Sequence, residues 1–292
     1  MIELKTYICG CVRDCESHLN SVFQNIRNIS QLFSDFHIII AYDDSSDYSL
    51  NKLHKIRKTF PDGKMTVLMG DTISLTSIRT QNIANARNLI LDEIRQNRKL
   101  NFDYFIMMDM DEACSGNMNV SALDKYLHHE RSGNPIKWDA LTFNRPYYYD
   151  VWALSIKPYT FSCWHYSKGK TIAGEMREFI QKKLDEIAES GDNKLIPCIS
   201  AFNGFGIYRI NKYINIDYEW DIRRTLEIYP KNMIDIMSRH VGLEPIARYD
   251  DCEHRYFHIC ASKKNGAQLF ISPCCLFKGN QGSLLNPPLQ ID

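Results

Sequence analysis

Four apolar runs of strand length, separated by helix-length stretches, recur through the first third of the chain and leave few folds open to it. The runs are Lys5–Cys11, His37–Tyr42, Met65–Met69 and Tyr104–Met108. Between them, Glu16–Phe33 sets Leu19, Val22, Phe23, Ile26, Ile29 and Phe33 at helical spacing. Ser49–Thr59 reads as a second helix, and Asn82–Arg95 brings Ile83, Ala86, Leu89, Ile90 and Ile94 onto one face. Strands joined by helices imply βαβ crossovers and a mostly parallel sheet, hence an α/β fold. The runs are apolar throughout rather than alternating, as strands covered by helices on both faces are. Ligands of such sheets bind beyond the carboxyl ends of the strands. Two acidic clusters, Asp43-Asp44 and Asp109/Asp111, stand at such ends.

The second half is more mixed. Trp138–Phe143, Ile196–Ile199, Phe205–Ile210, Tyr256–Ala261 and Gln268–Ile271 are predicted strands, and Gly174–Glu189 an exposed charged helix. Ser190–Lys194 and Asn286–Pro288 read as loops. With no repeat, low-complexity tract or linker, residues 1–292 are expected to form a single domain with a sizeable core. Lys plus Arg and Asp plus Glu both total 35, so there is no basic excess to suggest a nucleic-acid partner. No run approaches the ~20 apolar residues of a membrane span. Arg13, Asp14 and Glu16 interrupt the amino terminus too early for a secretory signal. The ten cysteines include no CxxC pair and are expected to be reduced thiols in a cytoplasmic protein.

Asp109-Met110-Asp111 directly follows the strand YFIMM. Two carboxylates one residue apart at a strand end can converge on a hard divalent cation, Mn2+ or Mg2+, that keeps positions open for phosphate oxygens. The plain alternative is two solvated carboxylates in a turn. Asp43-Asp44-Ser45-Ser46-Asp47 could accept hydrogen bonds from a nucleoside, or serve as a turn and helix cap. Arg87, in the stretch NIANARN before the acidic strand, could bind a phosphate in bidentate fashion or lie on a solvated helix face. An aromatic-rich middle region runs from Trp138 to Tyr166; Tyr149, Asp150 and Trp152 are its candidates for sugar contact, the other rings being assigned to packing. Cys252, His254, His258 and Cys260 raise the question of zinc. In an extended strand, however, the first and last would stand ~26 Å apart.

An acidic cluster after the second strand, an ARN helix and a DxD after the fourth resemble the nucleotide-binding half of GT-A fold glycosyltransferases. The likeness covers about the first 115 residues, the nucleotide-sugar half, and leaves 116–292 as the acceptor and catalytic half. The segments Trp138–Leu154, Asn203–Tyr208 and Cys252–His258 are similar to predicted glycosyltransferases of large DNA viruses and, more distantly, to fungal capsule mannosyltransferases. The resemblance implies that Asp109 and Asp111 hold the metal and diphosphate and that Asp43 or Asp44 meets the nucleoside. It also implies that Arg87 and Asn88 lie near the donor, and that the protein of a virus would work in host cytoplasm. GT-A families carry a glycine loop, an acidic motif and a late metal-binding His. Here Asn203-Gly204-Phe205-Gly206, Asp250-Asp251-Cys252-Glu253, and His254 or His258 occur in that order. Glu253 is the first choice for the base, followed by Asp251 and Asp150, while Asp217, Glu219 and Asp221 share the position downstream of the glycines.

The expected activity is therefore transfer of a sugar from a UDP- or GDP-sugar to a glycan or glycoprotein acceptor, with homo-oligomerisation possible in principle. Two alternatives stay open: a sugar nucleotidyltransferase, and a catalytically silent carbohydrate-binding or scaffold protein on the same fold.

Overall fold

Side chains alternating across the first strands build two cores, one on each side of a single sheet. The structure, a computed structural model, describes residues 3–70, 73, 76–97, 101–133, 137–166, 169–191, 194–229 and 250–278. β1 (Lys5–Val12), β2 (Asp35–Tyr42), β3 (Met65–Met69) and β4 (Tyr104–Asp109) pair in parallel in the order β3-β2-β1-β4. Ile8, Ile38, Ile40, Ile106 and Met108 pack with α1 (Glu16–Ser30), α2 (Ser49–Arg57) and α4 (Val120–Arg131). The intervening residues Tyr7, Cys9, Ile39, Ala41, Phe105 and Met107 pack on the other face with α3 (Arg79–Gln96). This two-sided burial is why those strands read as continuous apolar runs.

Beyond β4 the sheet continues through β8 (Phe205–Arg209), β6 (Ala140–Asn144), β9 (Leu269–Cys275) and β7 (Ile196–Cys198). β8 and β7 run against the other six, so the eight-stranded sheet is mixed but mostly parallel. β5 (Asn117–Met118) and β10 (Phe277–Lys278) form a separate two-stranded pair. α5 (Gly169–Glu189) closes a third apolar cluster with Tyr148, Val151, Leu154 and Ile271. The short helices α6 (Ile210–Tyr213) and α7 (Ile222–Ile228) follow β8. The expected loop at Asn286–Pro288 lies outside the described residues, and that at Ser190–Lys194 lies partly outside them.

One expectation is overturned. Tyr256–Ala261 is not a strand but the middle of α8 (Glu253–Asn265). Its residues are buried almost all round, including Glu253, His254, Arg255, His258 and Ala261, so no polar face marks the helical period. The legible signal lies at its end, where Lys263 and Lys264 precede Gly266, which caps the helix at φ 62°. Helical rise brings Cys252 and Cys260 to roughly 12 Å rather than the extended separation. Even so, no three His, Cys, Asp or Glu side chains among the described residues converge as metal ligands.

α8 is fastened by Arg255, which is fully buried. Its Nε donates to both oxygens of Asp251, at 3.2 and 2.9 Å, and its other nitrogens donate to the Trp152 and Leu154 carbonyls and the Ser155 hydroxyl. Asp251 is itself wholly buried and also accepts the Cys252 amide at 2.8 Å. A carboxylate so enclosed and paired cannot meet an acceptor, which removes Asp251 as a candidate base. Arg255→Met should leave that carboxylate buried without a partner and destabilise the fold by about 3–5 kcal/mol, read as a lower urea midpoint. An unchanged midpoint would show that the pair does not fasten the helix.

Candidate active site

The chain reverses its direction of travel across the sheet between β1 and β4, having run outward through β2 and β3. A crevice forms where strand order reverses in this way. Here it is a cleft of about 560 Å³ whose lining includes apolar Cys11, Ala41 and Met108 and charged Arg13, Asp43, Arg79, Arg87, Asp109 and Asp111. That volume suits a small-molecule ligand. Gly10 lets the cleft floor close: a Cβ there would run into the Met110 side chain, which is buried between the two acidic residues.

Arg87 is the centre of the site. α3 carries it into the interior, where it is 6 % exposed and contacts Glu253 and His254 of α8 through Nη1. Its Nη2 lies 3.5 Å from Asp109 Oδ1. The guanidinium also packs 4.8 Å above the Phe202 ring and 5.5 Å from that of Tyr218. Burial alone would weaken its hold on the proton, but the charge of Glu253 overrides this and raises its pKa. Glu253, the first choice for a base, is therefore committed to a buried ion pair. Burial and then the charge of Arg87 hold His254 well below the usual imidazole range, so it is neutral and stacked 3.8 Å from Phe202.

His258 follows one turn later and is bonded at both ring nitrogens, to the Ser200 hydroxyl at 3.0 Å and the Tyr208 hydroxyl at 3.1 Å. Burial takes its pKa down to about 3. Neither histidine joins Asp109 and Asp111 in a ligand cluster among the described residues. Asn88 is likewise spoken for: its amide exchanges two hydrogen bonds with the backbone of Tyr218, at 2.9 and 2.7 Å. The other downstream carboxylates serve local structure. Asp217 pairs with Arg95, Glu219 accepts the Trp220 and Asp221 amides, and Asp221 caps α7.

The acidic strand end has its own supports. Asp109 Oδ2 accepts the Tyr149 hydroxyl at 2.7 Å, and the Asp109 amide donates to the Gly204 carbonyl at 2.9 Å. Gly204 has φ 85°, and a Cβ there would lie 2.7 Å from the Tyr149 hydroxyl and 2.9 Å from Arg145. Its lack of a side chain leaves room for the Tyr149 hydroxyl to reach Asp109 and for Arg145 to reach the Asn203 carbonyl. Burial, then the charge of Asp109, raises the Tyr149 phenol well above its usual range and keeps it a donor. Asp111 Oδ1 accepts the Ala113 amide at 2.9 Å. Although Asp111 keeps contact with solvent, the protein around it and the adjacent Asp109 push its carboxyl up to about 6. Two hard oxygen donors that repel one another fit a divalent cation, whose charge would relieve both.

Asp150 follows Tyr149. Its Oδ1 accepts the Ala153 amide at 3.1 Å and its Oδ2 the Asn203 amide at 3.4 Å. Burial, and to a lesser degree Asp109 and Glu253, raises it to about 6 against those bonds. Trp152 is partly buried against the α3 side of the sheet. Trp138, Tyr148 and Phe161 of the aromatic region are core residues.

At the other acidic cluster, Asp43 is buried in the cleft wall and bonds Arg13 at 3.2 Å and the Asp44 amide at 3.0 Å. Asp44 is exposed and does not line the cleft. Asp47 accepts the first amides of both α1 and α2, from Glu16 and Ser49, each at 2.9 Å. Asp14 completes the brace by accepting the Ser46 amide at 2.6 Å. Arg13, Arg79 and Gly10 were not anticipated from sequence; a basic residue just past a strand end is the signal that would have found the first.

No protein-family model matches the chain, and no curated protein does. Among solved structures, S. aureus TarS 1-349 in complex with UDP-GlcNAc aligns over 94% of this chain and 58% of its own, at 10% identity and TM-score 0.48. The mannosyltransferase PcManGT from Pyrobaculum calidifontis, in complex with GDP-Man and Mn2+, aligns over 91% of this chain and 55% of its own, at 10% identity and TM-score 0.42. Glucosyl-3-phosphoglycerate synthase from Mycobacterium tuberculosis, with Mn2+, UDP and glucosyl-3-phosphoglycerate, aligns over 82% and 67%, at 9% identity and TM-score 0.41. The chain spans less than two thirds of the length of the first two.

The raised carboxyl of Asp111 has a measurable consequence. The folded protein keeps that proton to about pH 6, whereas an unfolded aspartate releases it near ~3.9. Stability is therefore lost as pH rises through that window and does not return above it. Asp111→Asn keeps an acceptor for Ala113 and should raise the melting temperature at pH 7, the gain closing as pH falls towards 4. A lower melting temperature at pH 7 would show that the two carboxylates do not oppose one another.

Proposed function

We propose that this chain is a GT-A type glycosyltransferase that takes a UDP- or GDP-sugar and a divalent cation in the switch-point cleft and passes the sugar to a glycan or protein hydroxyl. The observation that carries this reading is the pair Asp109 and Asp111 at the cleft, with Asp150 next to the Tyr149 that bonds Asp109, and with the carboxyls of Asp111 and Asp150 raised to about 6. Asp109 and Asp111 would hold the cation. Mn2+ or Mg2+ there would offset the charge of a departing nucleoside diphosphate. Arg87 orients Asp109 and brings a guanidinium to the cleft wall. Asp43 and Arg13 form the wall on the nucleoside side.

Asp150 takes the place first given to Glu253, because it is not tied up in an ion pair with a buried arginine and its pKa suits proton transfer near neutrality. In this reading it accepts the proton of the acceptor hydroxyl as that oxygen bonds to the anomeric carbon and the bond to the diphosphate breaks.

The test is a panel of UDP- and GDP-sugars, with and without Mn2+, followed by melting temperature and by slow donor hydrolysis. One donor should stabilise the protein only when metal is present, and Asp109→Ala should abolish that response. Failure of every donor with metal present would leave the silent binding protein as the better account. Asp150→Asn should lower turnover by at least ~10²-fold while donor stabilisation persists. Because a base works ionised, wild-type turnover should rise with pH up to about 6 and level off above it. A profile flat from pH 5 to 8 would exclude Asp150.

A further inference from the structure

Both oxygens of Asp109 already have protein partners. Oδ1 faces Arg87 at 3.5 Å, and Oδ2 accepts the Tyr149 hydroxyl at 2.7 Å, the shorter contact. The geometry points to Tyr149 as a latch: its phenol occupies an Asp109 oxygen that a diphosphate-bound cation would take as a ligand and gives it up on donor loading, freeing Tyr149 and the adjacent Asp150 while Arg255 keeps hold of the Trp152 and Leu154 carbonyls. This rests on the donor reading above. A cation at ~2.0–2.2 Å from a carboxylate oxygen draws on the same electron density that the phenol proton uses, and its charge repels that proton.

The segment is built so that the phenol matters. The amides of Tyr149 and Asp150 share one acceptor, Asn203 Oδ1, at 3.2 and 3.4 Å, and the Tyr149 ring lies 5.5 Å from the Arg145 guanidinium. Asn203 is held at φ 55° and fixed by its own amide to the Phe143 carbonyl at 3.1 Å. A side-chain amide therefore grips the backbone of 149 and 150 on one side, and Asp109 grips the ring on the other. One peptide bond separates the residue that leaves Asp109 from the carboxylate proposed to meet the acceptor. Loading the donor site thereby alters the acceptor site without any long-range movement of the sheet.

Tyr149→Phe removes only the hydroxyl. Mn2+ titrations followed by electron paramagnetic resonance, with no nucleotide, UDP or GDP, should show the variant binding Mn2+ about tenfold more tightly than wild type when no nucleotide is present. Amide hydrogen exchange at Tyr149 and Asp150 should quicken in wild type when Mn2+ and nucleotide are added, and should already be fast in the unliganded variant. If the variant binds Mn2+ no more tightly while Asp109→Ala weakens binding in both backgrounds, the latch is overturned and the donor reading stands. Mn2+ binding indifferent to Asp109→Ala would overturn both. The wild-type exchange measurement decides the matter even where the variant is unstable: exchange that slows or stays constant on loading excludes a latch.

Discussion

A buried guanidinium sets the terms for the rest of this molecule. Arg87 is brought into a nearly dry interior by α3, and a cation there persists only if the fold supplies compensating charge and a surface for its planar face. Glu253 supplies most of the charge, Asp109 some of it, and Phe202 and Tyr218 the surface. Those partners come from α8, β4 and the segments flanking β8. One side chain thus contacts both halves of the chain, and the acidic strand end takes part of its orientation from the same group.

α8 repeats the arrangement a turn further on. Arg255 and Asp251 form a second enclosed pair, and Arg255 reaches across to the carbonyls of the segment that carries Asp150. Between the two arginines lie His254 and His258, stacked 5.5 Å apart and kept neutral by burial. Uncharged imidazoles suit this place, since a positive charge on His254 would stand in contact with the Arg87 guanidinium. Polar residues dense enough to suggest a metal site are here an interior lattice of hydrogen bonds and rings.

The first half of the fold was legible because its strands lie between two layers of helices, so length and unbroken apolarity suffice to mark them. The place of Asp109 and Asp111 at the end of β4 was legible for a related reason: position after a strand is a local property. α8 was not, because its polar residues are buried and conceal the helical period. Nor were the commitments of Glu253, Asp251, Asn88 and His258, each to a partner far away in sequence or on a neighbouring element. Glu253 meets Arg87 across 166 residues. No pattern along the chain reports that a carboxylate has been used up in this way.

The brace made by Asp14 and Asp47 has a consequence for recognition. By tying the starts of α1 and α2 to one another, it fixes the spacing of the loops after β1 and β2, which carry Arg13 and Asp43 on the cleft wall. With the donor proposed above, a wall braced in this way would sort its guests by width. One-ring and two-ring bases differ in width before any hydrogen bond is formed, so the choice between them would be made by the scaffold beneath the wall and not by the groups that line it.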